Sequence, residues 1–293
     1  MAEAAWTGTT YGNGWMHHWL IKGLRYMDVR LLYAFAAIFV VPVCLILNPS
    51  RGIIYRYFRH RIGYGMLKSC WKTYINHCMF SQVVIDRFAS YAGKSFGIEI
   101  EGYENFTSLA KQPEGFVQLS AHVGNYELAG YTLVADNKKF NALVFAGEKE
   151  SVMENRNKKF AATNIHMIPI VQDMSHVFMI DNALQRGETV SIPADRINGS
   201  RRSMEKTFLN AKAKFPQGPF SIATMRGLNV LYVSVMKTSL KKYRIRVVPL
   251  MYDKNAGRKS QMEQLSDAYI EALEQDVRKY PEQWYNFFEF WNE

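Results

Sequence analysis

The sequence predicts an α/β fold, a mixed sheet flanked by helices, behind an N-terminal amphiphilic membrane-anchor region. Three observations lead there. After residue 95, short apolar runs of strand character alternate with segments of helical periodicity, the pattern of a layered α/β domain. Hydrophobic residues make up 48% and aromatics 14% of 293 positions, enough for a large core and too much for disorder. No internal repeat or low-complexity linker interrupts the chain. Before residue 63, by contrast, the composition is that of a membrane surface. Two regions are therefore expected, an anchor over residues 1–62 and an α/β domain over residues 63–293.

In the first region, "LLYAFAAIFVVPVCLIL" (Leu31 to Leu47) is 17 residues without a charge, the short end for a spanning helix. Pro42 interrupts it. Lys22, Arg25 and Arg30 precede it, and Arg51, Arg56, Arg59 and Arg61 follow, so charge gives no clean orientation. An in-plane or hairpin anchor, a span and a buried core helix all fit. The formal net charge of +10 calls for an anionic partner. Tryptophan and tyrosine crowd "WMHHWLIKGLRYMDVRLLYAF" and "YPEQWYNFFEFWNE" beside lysine, arginine and apolar stretches, a bilayer-interface composition. A nucleic-acid binder would interleave its aromatics with basic residues on short strands. An anionic membrane is the predicted partner, and nucleic acid is not.

The elements follow in order. Leu67, Trp71, Tyr74, Ile75 and Cys78 recur at helical spacing from about Tyr64 to Tyr91. "FGIEIEGY" alternates as a strand that Gly102 breaks, and "GFVQLSAH" is a second strand running into a helix, "NYELAGYTLVA". "NALVFAG" (strand), "VMENRNKKFAATN" (helix) and "MIPI" (strand) come next. "MSHVFMIDNALQRG" is a helix that Gly187 closes, and "ETVSIPAD" is a buried strand ending in a charge pair, Asp195–Arg196. "SIATMRG" reads as helix, "NVLYVSVMK" and "YRIRVVPLM" as strands, and "SQMEQLSDAYIEALEQDVRKY" as an amphipathic helix.

The chemistry concentrates in "LSAHVGNYELAG", Leu119 to Gly130. Within one helix, an offset of five would set His122 and Glu127 about 140° apart, on different faces. With His122 in a turn and Glu127 in the first helical turn, the carboxylate can fold back on the imidazole. Glu127 would then accept from one ring nitrogen while the other takes a proton from a substrate hydroxyl or amine. Gly124 and Asn125 suit the turn between them. A plainer reading is open as well: a strand-end histidine, and a glutamate serving the helix dipole. Three cysteines, Cys44, Cys70 and Cys78, with no metal-ligand spacing, point to a reducing compartment, no metal and no cofactor. The other histidines (His17, His18, His60, His77, His166, His176) read as surface or interface residues.

His-x-x-x-x-Glu after an apolar strand resembles the HX4(D/E) motif of glycerolipid-type acyltransferases, and more particularly the LpxL/HtrB-type late acyltransferases of lipid A biosynthesis. The likeness runs from about Met16 to Trp291, through "SIPADRINGS", "KFPQGPFSIATMRGLNVLYVSV" and "PEQWYNFFEFW". It implies transfer of a fatty acyl chain from an acyl-carrier protein or CoA thioester to a lipid acceptor. It implies His122 as base and Glu127 as its orienter, with Asn125, Lys149, Arg156, Asp195, Arg196 and Gly218 around the substrates. It also implies a place on the cytoplasmic face of the inner membrane. Two departures concern the acceptor. "VFAGEKESVMENR" stands where the family often has an Arg-Pro pair, so Lys149 or Arg156 would supply that charge. "FPQGPFS" lacks the acid and arginine of the related glycerol-phosphate enzymes. A lipid A precursor, an aminoacyl lipid or a polyene-type pigment remain alternative acceptors. A catalytically silent membrane-binding protein of the same fold is the alternative from another class.

Overall fold

The structure is a computed structural model that describes residues 13–48, 50–135, 137–145, 150–160, 164–171, 175–197 and 202–291. Seven strands form one mixed sheet: β1 (Gly97–Glu101), β2 (Phe116–Ser120), β3 (Phe140–Phe145), β4 (Ile165–Ile170), β5 (Thr189–Pro193), and then β8 (Asn229–Ser239) and β9 (Lys242–Leu250). A separate antiparallel hairpin, β6 (Ser203–Phe208) and β7 (Ala211–Pro216), precedes β8. The sheet order is β1-β9-β8-β2-β5-β3-β4, parallel at every pairing except the β8–β9 hairpin. β2 is central and every residue of it is buried, the polar Gln118 and Ser120 included. Helices α6 (Tyr103–Ala110), α7 (Glu127–Thr132), α8 (Glu150–Phe160), α9 (Ser175–Gln185), α10 (Gly218–Met225) and α11 (Arg258–Lys279) complete the layers.

Ahead of the sheet lie α1 (Gly14–Leu24), α2 (Val29–Phe35), α3 (Val41–Leu47), α4 (Arg51–Arg56) and α5 (Met66–Tyr91). A π-helical turn, Ala36–Val40, joins α2 to α3 just before Pro42. A proline inside a helix removes one backbone donor and crowds the preceding turn, and the extra residue per turn accommodates it. Val29–Leu47 is thereby one continuous helix of 19 residues with mean hydropathy 2.4 over its best window, of which only 22% is buried. Among the described residues it is the one helix long and apolar enough to cross a membrane.

These helices are packed onto the domain. Ile21, Leu24, Val29 and Tyr33 join Phe88 and Ala89 of α5 and Val152 of α8 in one apolar cluster. Tyr33 also reaches a buried polar group: its hydroxyl bonds Asp86, which holds the Lys237 ammonium of β8 and the Tyr243 hydroxyl of β9. His17 and His77, expected at the surface or an interface, are both buried within the chain. His17 lies against the Phe88 ring, while His77 bonds the Thr73 carbonyl and Asn48. The apolar spacing around them, not the histidines themselves, set their burial.

Candidate active site

β2 and β5 run side by side and parallel, with Gln118 opposite Ser191, Leu119 opposite Ile192 and Ser120 opposite Pro193. Two residues past the last pair come His122 on one strand and Asp195 on the other. The ladder continues between them, since Ala194 N–H donates to the Ser120 carbonyl at 2.9 Å. His122 Nδ1 lies 2.7 Å from Asp195 Oδ1, and the His122 backbone N–H donates to Oδ2 at 2.9 Å. Both oxygens of one buried carboxylate are thus spent on one residue. Because an ionised carboxylate only accepts, the proton sits on Nδ1 and the lone pair on Nε2. Burial and the Arg196 charge lower the His122 pKa, against the opposing pull of Asp195. The Asp195 carboxyl is held below its usual value by His122 and Arg196 despite its burial. An imidazole that stays neutral and has one oriented free nitrogen is equipped to take a proton.

Glu127 occupies a different environment. Its carboxylate accepts from the Tyr91 hydroxyl at 2.7 Å and from Arg156 Nη2 at 3.1 Å. Arg87 Nε lies 2.9 Å away but out of line for a hydrogen bond, so that contact is ionic. Burial pushes the Glu127 pKa up, but Arg156 and Arg87 overcome it and bring it down to about 2. The expectation that Glu127 orients His122 is therefore corrected: Asp195, 73 residues away, takes Nδ1. The physical reason lies in the turn between them. Gly124 has φ 54°, and a Cβ there would come within 1.8 Å of the Val235 carbonyl oxygen, so only glycine fits. Asn125 N–H donates to that carbonyl at 2.8 Å. Swung by this left-handed residue onto β8, the chain leaves His122 facing β5 and Glu127 facing α5 and α8.

Other expected site residues find varied places. Arg156, expected as a substrate cation, is buried as the partner of Glu127. Arg196 Nη2 donates to the Tyr285 carbonyl at 2.7 Å, and its guanidinium faces the Phe288 ring. Asn125 is buried in the turn. Gly218 opens α10 after the β6–β7 hairpin. Lys149 lies outside the described residues. The turn's own N–H groups at His122, Gly124 and Asn125 are bonded to Asp195, Gln283 and Val235. Those three are closed to an oxyanion, and Arg196 is a cation close enough to act on the imidazole. Sequence reasoning missed Asp195 as the histidine's partner and Arg87 altogether. A signal for the first existed: "QLSAH" and "SIPAD" match position by position as strand, small residue, functional residue. Arg87, inside a 26-residue helix, carried none.

A mixed α/β sheet with a histidine–carboxylate pair at the ends of two neighbouring parallel strands belongs here to an acyltransferase. Residues 78–293 match the family described as bacterial lipid A biosynthesis acyltransferase, and the chain belongs to that family. The match begins inside α5, at Cys78, and takes in every strand of the sheet. Among solved structures, the chain is similar to the 1-acyl-sn-glycerophosphate acyltransferase PlsC from Thermotoga maritima. That likeness is at 14% identity with a TM-score of 0.41, covering 92% of this chain and 100% of that one. No curated protein matches the sequence.

Proposed function

We propose that this acyltransferase moves a fatty acyl chain from a carrier thioester, on acyl-carrier protein or CoA, to a hydroxyl of a lipid A precursor-like acceptor. The observation that carries the mechanism is the Asp195 carboxylate on His122 Nδ1, 2.7 Å away, which leaves Nε2 free. Nε2 takes the proton of the acceptor hydroxyl as its oxygen attacks the thioester carbonyl. Asp195 stabilises the imidazolium that forms, and Arg196 offsets charge on the carbonyl oxygen. Collapse of the tetrahedral intermediate breaks the C–S bond, and the imidazolium returns its proton to the leaving thiolate. The ester and the free thiol balance the acyl thioester and alcohol consumed. Glu127, Arg87 and Arg156 hold α5, α7 and α8 together behind this dyad.

Purified protein with acyl-carrier protein and acyl-CoA donors, each offered a lipid A precursor and a total bacterial lipid extract, tests this by mass shift. Acylation of the precursor supports the reading. Modification only of an aminoacyl lipid or pigment in the extract would move the acceptor, and no product from either donor would leave the silent binder.

The reading places the enzyme on the cytoplasmic face of an anionic membrane. It is supported by the outward residues of Val29–Leu47: Leu31, Phe35, Ile38, Phe39 and Ile46 are between 55% and 72% exposed. Trp15, Trp19, Leu67 and Trp71 are exposed as well, with Lys22 over the Trp19 ring. Apolar insertion and attraction of basic residues, the latter worth about 1 kcal/mol each near an anionic surface, reinforce one another. With liposomes containing anionic lipid, the wild-type protein should float at low salt, and largely also at high salt. Phe35→Glu with Ile46→Glu should remain at the bottom of the gradient. Equal flotation of the two would remove this helix from the membrane contact.

A further inference from the structure

The backbone around His122 is gripped from a second side, by a segment that neither the motif nor the dyad includes. Pro281–Gln283 is one 3-10 turn, and the chain after it runs antiparallel to the catalytic turn. Gly124 N–H donates to the Gln283 carbonyl at 2.7 Å, Val123 pairs with Trp284, and Tyr285 N–H donates to the His122 carbonyl at 3.0 Å. The His122 carbonyl is therefore fixed by this segment, just as its N–H and Nδ1 are fixed by Asp195.

Three side chains hold the segment itself, and its own Gln283 ties it to β8. Gln283 is buried, and its amide copies a strand: Oε1 accepts from Lys237 N–H at 2.8 Å and Nε2 donates to the Lys237 carbonyl at 2.8 Å. The β2–β8 ladder ends at Tyr232, so beyond it this edge of β8 takes its partners from elsewhere. Two residues back from Lys237 along β8, Val235 holds Gly124 and Asn125. From the opposite side, buried Asn76 of α5 donates through Nδ2 to the Glu282 and Trp284 carbonyls, both at 3.0 Å. The Tyr57 hydroxyl donates to the Pro281 carbonyl at 3.1 Å.

We infer that Gln283 is a positioning residue for the reaction: it locks the Gln283–Tyr285 segment to β8 and so fixes the His122 backbone at its carbonyl. The inference rests on the reading of His122 as the base. An alternative for the same contacts is packing alone, in which Gln283 only adds stability. The two differ in what they predict for the imidazole. A loosened His122 carbonyl lets the ring leave the line of Asp195, so turnover falls while substrates bind as before.

Gln283→Met keeps the length and loses both amide bonds, whereas Gln283→Glu keeps the acceptor for Lys237 N–H. Phe106→Leu, in the apolar cluster under α6, serves as a control for lost stability alone. Each full-length variant is assayed with the acyl thioester and lipid A precursor, and its histidines are labelled with nitrogen-15 for NMR in detergent micelles. The low-field Nδ1 proton of His122 is assigned by its loss in His122→Ala. The expected result is a fall in kcat of ~10–100-fold for Gln283→Met at nearly constant KM, with that proton broadened, an intermediate fall for Gln283→Glu, and neither change in Phe106→Leu. If Gln283→Met does not fold, Gln283→Glu carries the same readings. Wild-type kcat and an unchanged Nδ1 proton in whichever Gln283 variant folds would overturn the inference. So would matching losses in Phe106→Leu. Full activity of His122→Ala would instead overturn the base itself, and leaves a separate mark.

Discussion

Asp195 and Glu127 are both buried carboxylates reached from the turn that follows β2, yet their neighbours differ in kind. Asp195 meets one imidazole and one backbone N–H, groups that can change state or orientation during a reaction. Glu127 meets two guanidinium groups and a phenol, which remain as they are at any working pH. A carboxylate spent on permanent cations holds structure, and one spent on a titratable ring supports chemistry. Proximity in sequence predicted the reverse. Five residues separate Glu127 from His122, but a backbone turn governs where side chains point more than residue count does.

The sharpest way to break this contrast is at the dyad. His122→Ala should lower kcat by ~10²–10⁴-fold with the fold retained. Asp195→Asn should approach that loss, because an amide can donate to Nδ1 and so favour the wrong tautomer. Steady-state kinetics on the folded variants measure both, and an Asp195→Asn enzyme of near-normal rate would return the orienting role to Glu127.

Next in size is Glu127→Gln, whose effect belongs in stability. It leaves Arg87 and Arg156 buried without their counter-charge, a loss of about 3–5 kcal/mol, or roughly 10 °C in Tm for a chain of this size. Turnover per folded molecule should stay within about tenfold of wild type, since no described hydrogen bond joins Glu127 to the ring. The pH dependence has a definite sign. A folded-state pKa of about 2, against an ordinary 4.5, means that the Glu127 contribution is complete above 4.5 and is lost as pH falls towards 2. The wild-type advantage over Glu127→Gln in chemical denaturation should shrink across that window. A dead but fully stable Glu127→Gln would dissolve the comparison.

The smallest effect concerns Arg196. Its charge helps lower the His122 pKa, so Arg196→Gln should move the acidic limb of the kcat/KM profile to higher pH. Loss of the charge beside the carbonyl should also slow turnover, by about tenfold. An acidic limb that stays in place would mean that burial and Asp195 set the ring's pKa without Arg196.

Much of the fold was legible, because its signals are local. The runs around β2, β5, β8 and β9 and the periodicity of α5 and α11 lie within a few residues of the observed ends. The β6–β7 hairpin was not predicted. Its turn residues, Leu209 and Asn210, both have positive φ, and leucine is no signal for that conformation. The site divides along the same line. His122 stands out at a strand end, but its partner depends on which strands are neighbours and in what register. Only the parallel alignment of "QLSAH" with "SIPAD" carries that, and nothing in either segment says that the two lie side by side.

Tyr33 has a practical consequence for anyone wanting a water-soluble catalytic fragment. A cut after residue 62 looks natural from composition, yet it would strip a hydroxyl from buried Asp86 and uncover Phe88 and Ala89 along α5. The remaining Asp86–Lys237 pair would then face water on one side and an incomplete hydrogen-bond shell on the other. Solubility is better sought by repainting than by deletion. Phe35, Ile38 and Ile46 point outward and can be exchanged for polar helix formers, while Tyr33, Ala36 and Val41 on the inward face stay as they are. The N-terminal helices and the sheet domain share one interior, so the first cannot be removed without opening the second.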